Sequence, residues 1–274
     1  MLQQSKMGVL QLALGALLAT PLVGCTGVLG IDSERTLGVN AAPLPEQWAC
    51  LKDPIPATAS KTTFTQTLHF FDGASANFSS ISGLSVRACQ KIDFDCANPL
   101  APSVVTAADG VAVLTVPNGF AGYFEVTGRA DFQSAIFVER VAVSDAAYEY
   151  SMVTKAVSAA YTAAAGTMFQ PGMANMTLVV RDCKGAPGAG IAFTLKSSGA
   201  TGSIVYLANS LPTAGTTETD QTGVGVDFAL TPGALNGTAA AADGSFTVAT
   251  RAGLTRADWL TQISFYPDQL SLVH

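Results

Sequence analysis

Along most of the chain, apolar and polar residues alternate in runs of four to ten residues, the two-residue period of strands with one buried face. Such runs cover 64–71, 84–89, 111–116, 123–127 and 134–143 in the first half. In the second half they cover 176–180, 191–196, 204–207, 224–230, 245–250 and 260–266. Asp72-Gly73, Asp109-Gly110 and Asn118-Gly119 fall between some of them, and these pairs supply positive φ at low steric cost. The tight Asn118-Gly119 turn makes 111–127 read as one hairpin. The pattern changes over 144–166, where Met152, Ala156, Ala160 and Ala164 lie four apart with Val153, Val157 and Tyr161 beside them. That is a helical stripe, with Ser144 or Asp145 to cap its start and Gly166 its end. Pro171-Gly172, within 167–175, marks a boundary. The expected fold is mainly β: two tandem small antiparallel β-sandwich modules of the immunoglobulin or transthyretin type, 64–143 and 167–274, joined by one helix over 144–166 whose apolar stripe packs on a neighbouring module.

The halves also share a pattern. Leu84-Ser-Val-Arg-Ala-Cys89 matches Leu178-Val-Val-Arg-Asp-Cys183, and Thr106-x-x-Asp-Gly-Val-x-Val113 matches Thr219-x-x-Thr-Gly-Val-x-Val226. Two matched pieces in the same order indicate a tandem repeat, with an insertion in the second copy over about 197–217.

The first residues do not belong to this pattern. Lys6 precedes 7–19, thirteen residues in which only Gln11 is polar. As a helix at about 1.5 Å per residue this run reaches about 20 Å, short of the roughly 30 Å hydrocarbon core of a bilayer. Pro21 breaks it, and Leu22-Val23-Gly24-Cys25 follows. This resembles the lipobox of bacterial lipoproteins, in which the cysteine thiol receives lipid and a dedicated peptidase cuts before it. The resemblance implies a signal peptide over 1–24, lipid attachment at Cys25, and a membrane held through the N-terminal lipid. Thr26, where an aspartate would retain such a protein at the inner membrane, implies the outer membrane of the cell envelope, facing the periplasm or the outside. Residues 25–63 carry Pro43, Pro45, Pro54 and Pro56 without an apolar period and read as a tether, with Trp48 and Leu51 docking onto a module.

The mature chain keeps 13 of the 14 basic residues and all 20 acidic ones, a formal net charge of −7, which offers nucleic acid no basic footprint. Only 12% of the chain is charged, against a coiled coil. Four cysteines remain beyond Cys25, and in an exported protein they allow two disulfides in three pairings. The six residues between Cys89 and Cys96 suit a local loop closed by that bridge, leaving Cys50 for Cys183. A metal site is the alternative, but there is no Cys-x-x-Cys and there are only two histidines, His69 and His274.

Two family resemblances extend this reading. Arg181-Asp182-Cys183-Lys-Gly185-Ala-Pro187-Gly-Ala-Gly190-Ile191, followed by Thr219-Asp220-x-x-Gly223-Val-x-Val226 and Pro232, resembles the carboxypeptidase regulatory-like family of small transthyretin-like sandwiches. Asp182 can cap its turn, Gly185 can take a positive φ and Pro187 can block an edge. The first module departs from the motif, with Cys89-Gln-Lys at the first turn. The lipobox, Gly30-Ile31-Asp32 and the Trp48-to-Cys50 pair are together similar to myxobacterial-type envelope lipoproteins. Both resemblances imply architecture and a non-catalytic module.

Chemistry has few candidates. A Ser/His/Asp catalyst needs a histidine with neighbours, and the interior one, His69, sits in an alternating strand beside Phe70 and Phe71. Asp93 with Asp95, and Glu218 with Asp220, could pair as hydrolytic carboxylates or hold calcium, but acids in loops are ordinarily solvated. No glycine spacing fits a nucleotide cradle. The expectation is therefore a non-enzymatic module, without cofactor, that binds protein or glycan through loops such as 197–217. The alternative is an envelope hydrolase acting on glycan or peptide, whose site forms only in three dimensions.

Overall fold

The computed structural model describes residues 44–52, 61–75, 77–167, 170–197 and 203–267. Leu22, Val23, Gly24, Cys25 and Gly30-Ile31-Asp32 lie outside them. A 3-10 helix, Glu46–Lys52, comes first, followed by β1 (Thr63–Asp72), β2 (Ser85–Cys89), β3 (Val104–Val105), β4 (Val111–Pro117), β5 (Tyr123–Thr127), β6 (Ala135–Val138) and β7 (Ala146–Met152). After α1 (Lys155–Ala164) come β8 (Ala174–Val180), β9 (Ile191–Ser197), β10 (Val205–Ala208), β11 (Leu211–Thr213), β12 (Val224–Leu230), β13 (Gly233–Ala241), β14 (Thr247–Thr255) and β15 (Leu260–Phe265). The period of two does what the pattern asks: along β1, Phe64, Gln66, Leu68 and Phe70 are buried while Thr63 and Thr65 face solvent.

The fold is mainly β and built twice. β1 lies between β4, antiparallel, and β7, parallel; β8 lies in the same way between β12 and β15. β2 pairs with β5 and β5 with β6, as β9 pairs with β13 and β13 with β14. The connecting hydrogen bonds repeat as well. Phe70 N donates to Gly110 O as Val180 N does to Gly223 O, at 2.9 Å in both. The Thr106 hydroxyl accepts from Leu84 N (3.0 Å) and donates to Ile81 O (2.8 Å); the Thr219 hydroxyl accepts from Ile191 N (3.1 Å) and donates to Gly188 O (2.7 Å). Thr106 and Thr219 are thus equivalent, as the sequence match has them, but the counterpart of Leu84 is Ile191 and not Leu178. The match of 84–89 with 178–183 joins strands with different places in the modules, because an apolar strand ending in Arg-x-Cys carries no information about its neighbours.

The modules meet through one strand. β15 pairs in parallel with β6 on one side and β8 on the other, giving a nine-stranded sheet in the order β11-β10-β12-β8-β15-β6-β5-β2-β3. Sheets β4-β1-β7 and β14-β13-β9 pack against it, each over its own core. Along β6, Ala135 and Phe137 enter the first core while Ile136 and Val138 enter the second, so this short strand is buried on both faces.

The structure corrects the hairpin, the start of the helix and the face that the helix buries. β4 and β5 are not a hairpin: β4 pairs with β1 and β5 with β2 and β6, in different layers. The Asn118-Gly119 turn makes the crossing, its backbone N–H groups donating to Thr62 O and Ala142 O. The helix does not begin at Ser144, because 146–152 is strand β7, and Asp145 accepts from Thr65 N (2.8 Å) and Lys61 Nζ (2.7 Å) instead of capping a helix. Thr154 is the N-cap. Ala156, Ala160 and Ala164 are exposed, while Ser158 and Thr162 are the buried residues of α1. Thr162 satisfies its hydroxyl on Ser158 O at 2.8 Å, so a polar face with internal partners goes inward.

Candidate functional site

The densest gathering of titratable side chains lies where the modules join. Glu139 follows β6 directly, Tyr150 is on β7, Ser264 on β15, and Tyr266 just past it. Glu139 Oε1 accepts from Ser264 Oγ at 2.7 Å and from Tyr150 OH at 3.1 Å. Burial lifts its carboxyl from an ordinary 4.5 to about 7, against the pull of these hydroxyls, Tyr266 and the charge of Arg251. The same burial, with the Glu139 charge, pushes Tyr148 up to about 12. A cavity of about 380 Å³ opens beside this carboxyl, lined also by Arg140, Glu149, Arg181 and Gln262. Arg140 lies over the Tyr266 ring at 5.4 Å. Hydrogen-bond donors, a carboxyl and aromatic faces converging on one polar hollow form a surface able to hold a hydroxyl-rich ligand.

A second cluster stands by the Cys89–Cys96 loop. Glu125, 1% exposed, sits between Arg87 and Arg256, with ion pairs to both. Arg256 also donates to Tyr123 OH at 2.9 Å and stacks over Trp259 at 4.7 Å. Ile92 and Phe94, in the loop, are 81% and 49% exposed. Cys89, Cys96 and Glu125 bring potential ligand atoms together, but both thiols are in a disulfide and a disulfide sulfur is not a thiolate ligand.

The disulfides are Cys50–Cys183 and Cys89–Cys96, with Cα atoms 5.8 and 5.3 Å apart. The first fastens the 3-10 helix to the second module, where Trp48 is buried against Phe246, ring centroids 5.7 Å apart, and Leu51 packs partly buried.

The acids chosen from sequence serve the backbone. Asp93 accepts from Ala97 N (2.9 Å) and Asn98 N (2.7 Å), and these bonds, Asn98 foremost, hold its carboxyl below the usual range. Asp220 accepts from the Thr222 hydroxyl (2.6 Å) and N (2.8 Å) and from Asn209 N (3.1 Å). Asp182 accepts from Lys184 N and Ala186 N at 2.8 and 2.9 Å around Gly185, whose φ is 80°. Asp95 and Glu218 are exposed. His69 Nε2 lies 3.3 Å from Ser80 Oγ on the surface, and among the described residues no acid bonds its ring. Of the segment 197–217, the described part holds the β10–β11 hairpin, which extends the nine-stranded sheet through β12. Sequence reasoning missed Glu139 and Arg140; the available signal was a charged pair inside the apolar run 134–143.

No family model matches the chain, and no curated protein matches it either. Among solved structures it is similar to the Bacillus anthracis TIE protein, at a TM-score of 0.28 and 10% identity, covering 75% of this chain and 34% of that one. Shaft pilin SpaA from Lactobacillus rhamnosus GG gives 0.26 and 12% over 76% of this chain and 98% of the pilin. GBS52, the minor pilin of Streptococcus agalactiae, gives 0.25 and 11% over 74% and 94%.

Proposed function

We propose that this chain is a lipid-anchored, non-catalytic protein of the bacterial outer membrane, in which two β-sandwich modules of the transthyretin-like, carboxypeptidase regulatory-like kind present a binding surface for protein or glycan. Cys25 carries the lipid, after cleavage of a signal peptide at Gly24. The observation that carries the reading is the Cys50–Cys183 disulfide: a bond that forms in an oxidising compartment locks the segment following the lipobox onto the folded body. The turn duties of Asp93, Asp182 and Asp220 favour a structural use of these acids over hydrolysis.

Replacing Cys25 by Ala tests the reading. Fractionation should move the chain from the membrane to the soluble fraction, and membrane retention after removal of the leader would contradict it.

A hydrolase is the second reading, and one observation favours it: Glu139, with a carboxyl near 7 and Glu149 lining the same cavity, could serve as a proton donor at neutral pH. Release of reducing ends or amines from envelope glycan or peptide, abolished by Glu139→Gln, would establish it; turnover unchanged in that variant would remove it.

A further inference from the structure

The internal repeat exposes one misplaced charge. Since Val111 and Val224 occupy the same register opposite β1 and β8, Asp227 in β12 is the counterpart of Leu114 in β4. Leu114 is a buried core residue of the first module. Asp227 has no exposed surface, and no side chain donates to its carboxylate oxygens; only the adjacent Phe228 backbone N–H pulls on them. A buried carboxylate without a side-chain donor is among the most unfavourable arrangements a fold can hold, and it calls for a partner of opposite charge. The backbone is irregular here as well: the β12–β8 register shifts between Asp227 and Leu230, and Ala229 takes a φ of 63°.

A cavity of about 400 Å³ has Asp227 among its lining residues, with the carboxylate oxygens themselves closed off from it. Thr194 and Thr217 are exposed at its mouth, Ile204 and Leu195 line it, and Phe193 and Tyr206 stack with ring centroids 6.0 Å apart. The Tyr206 oxygen accepts from Phe193 N at 2.8 Å, which leaves its proton available. Burial raises the Asp227 carboxyl to about 6, so most of it is ionised at pH 7. Tyr206 is the other titratable group of the lining, and Glu218 acts on it.

We infer that this cavity is a binding site for a small primary ammonium ion with an apolar stem, whose charged head pairs with the Asp227 carboxylate when that side chain turns into the cavity lined by Phe193 and Tyr206. The carboxylate supplies the counter-charge, the aromatic faces favour a cation, and Ile204 and Leu195 shelter the stem. A metal ion fits less well, because one carboxylate among threonine and apolar side chains offers few hard ligands. The site is independent of the lipid anchor: failure of either leaves the other standing.

The test is titration of the full chain in detergent with n-butylammonium chloride, followed by calorimetry and by the ¹³C signal of the Asp227 carboxyl, with sodium and calcium chloride at equal ionic strength as comparisons. Saturable binding of butylammonium alone is expected, with the Asp227 titration moving to lower pH and the affinity about tenfold weaker at pH 5 than at pH 7, following the ionised fraction. Asp227→Asn and Asp227→Leu, the latter restoring the residue of the first module, should lose at least tenfold in affinity while melting no lower than the parent. Undiminished binding by either folded variant, no saturable binding by the parent, or an equal response to sodium or calcium would overturn the inference. Should neither variant fold, the parent's carboxyl titration decides alone, and a carboxyl signal that butylammonium does not move overturns it.

Discussion

Glu125 and Glu139 are both buried, and their neighbours set them apart. Two guanidiniums flank Glu125, so Glu125→Ala leaves Arg87 and Arg256 facing each other with no charge between them, at a cost of about 3 kcal/mol by urea denaturation. Arg87→Ala should cost about 1 kcal/mol, because Arg87 is 35% exposed and Arg256 still pairs with the carboxylate. Glu139 has hydroxyl partners, and its folded pKa of about 7 lies above the ordinary 4.5. Between those values the folded chain holds more protons than the unfolded one, so stability falls as pH rises through this window, by about 3 kcal/mol at most. Asp227 acts in the same direction between about 4 and about 6. Asp93, Asp220 and Asp243 are lowered, so their contribution is present above the ordinary aspartate value and lost as pH falls below it. The urea midpoint should therefore be higher at pH 5 than at pH 7, with Glu139→Gln removing much of the difference; an equal difference in that variant would show that other groups set it. The turn acids were legible because Asp-x-x-Gly places donor and acceptor a few residues apart. Glu139 was not, since Ser264 lies 125 residues away and reaches it only through the parallel β6–β15 pairing.

Strands with large alternating side chains were legible in sequence, and those without them were not. β1 and β4 fall where the period of two puts them, whereas β13, Gly-Ala-Leu-Asn-Gly-Thr-Ala-Ala-Ala, has too few large apolar residues to show one. β7 was hidden because Met152 fits a four-residue spacing as well as a two-residue one, and the alanines after it extend the false stripe. Layer membership was also out of reach: a tight turn fixes local direction, not which sheet each strand joins. The disulfides act at this scale. Cys50–Cys183 spans 133 residues and Cys89–Cys96 spans 7. On loop entropy their removal should cost about 5 and about 2.5 kcal/mol respectively, so Cys50→Ser/Cys183→Ser should melt below Cys89→Ser/Cys96→Ser. Gly188→Ala should mimic part of the larger loss, because an added Cβ would lie 2.6 Å from the Trp48 ring and push the 3-10 helix off its seat. Trp48 fluorescence should then shift to the red; an unchanged spectrum would mean that Trp48 is held by something else.

Across the whole molecule, the shared sheet ties the modules to one another. The described residues fall in one compact unit, and β15, the last strand of the second module, completes its pairing on β6 of the first. Unfolding should be a single transition by both circular dichroism and Trp fluorescence; two separated transitions would mean that the β6–β15 join is weak. A fragment of 167–274 would expose the β15 edge, and it should be less stable and more prone to associate than the full chain. The proposed lipid anchor is tested most directly by mass spectrometry of the native protein: an amino-terminal peptide beginning at a diacylglyceryl-modified Cys25 is expected, and an intact Met1 or an unmodified Cys25 would contradict it.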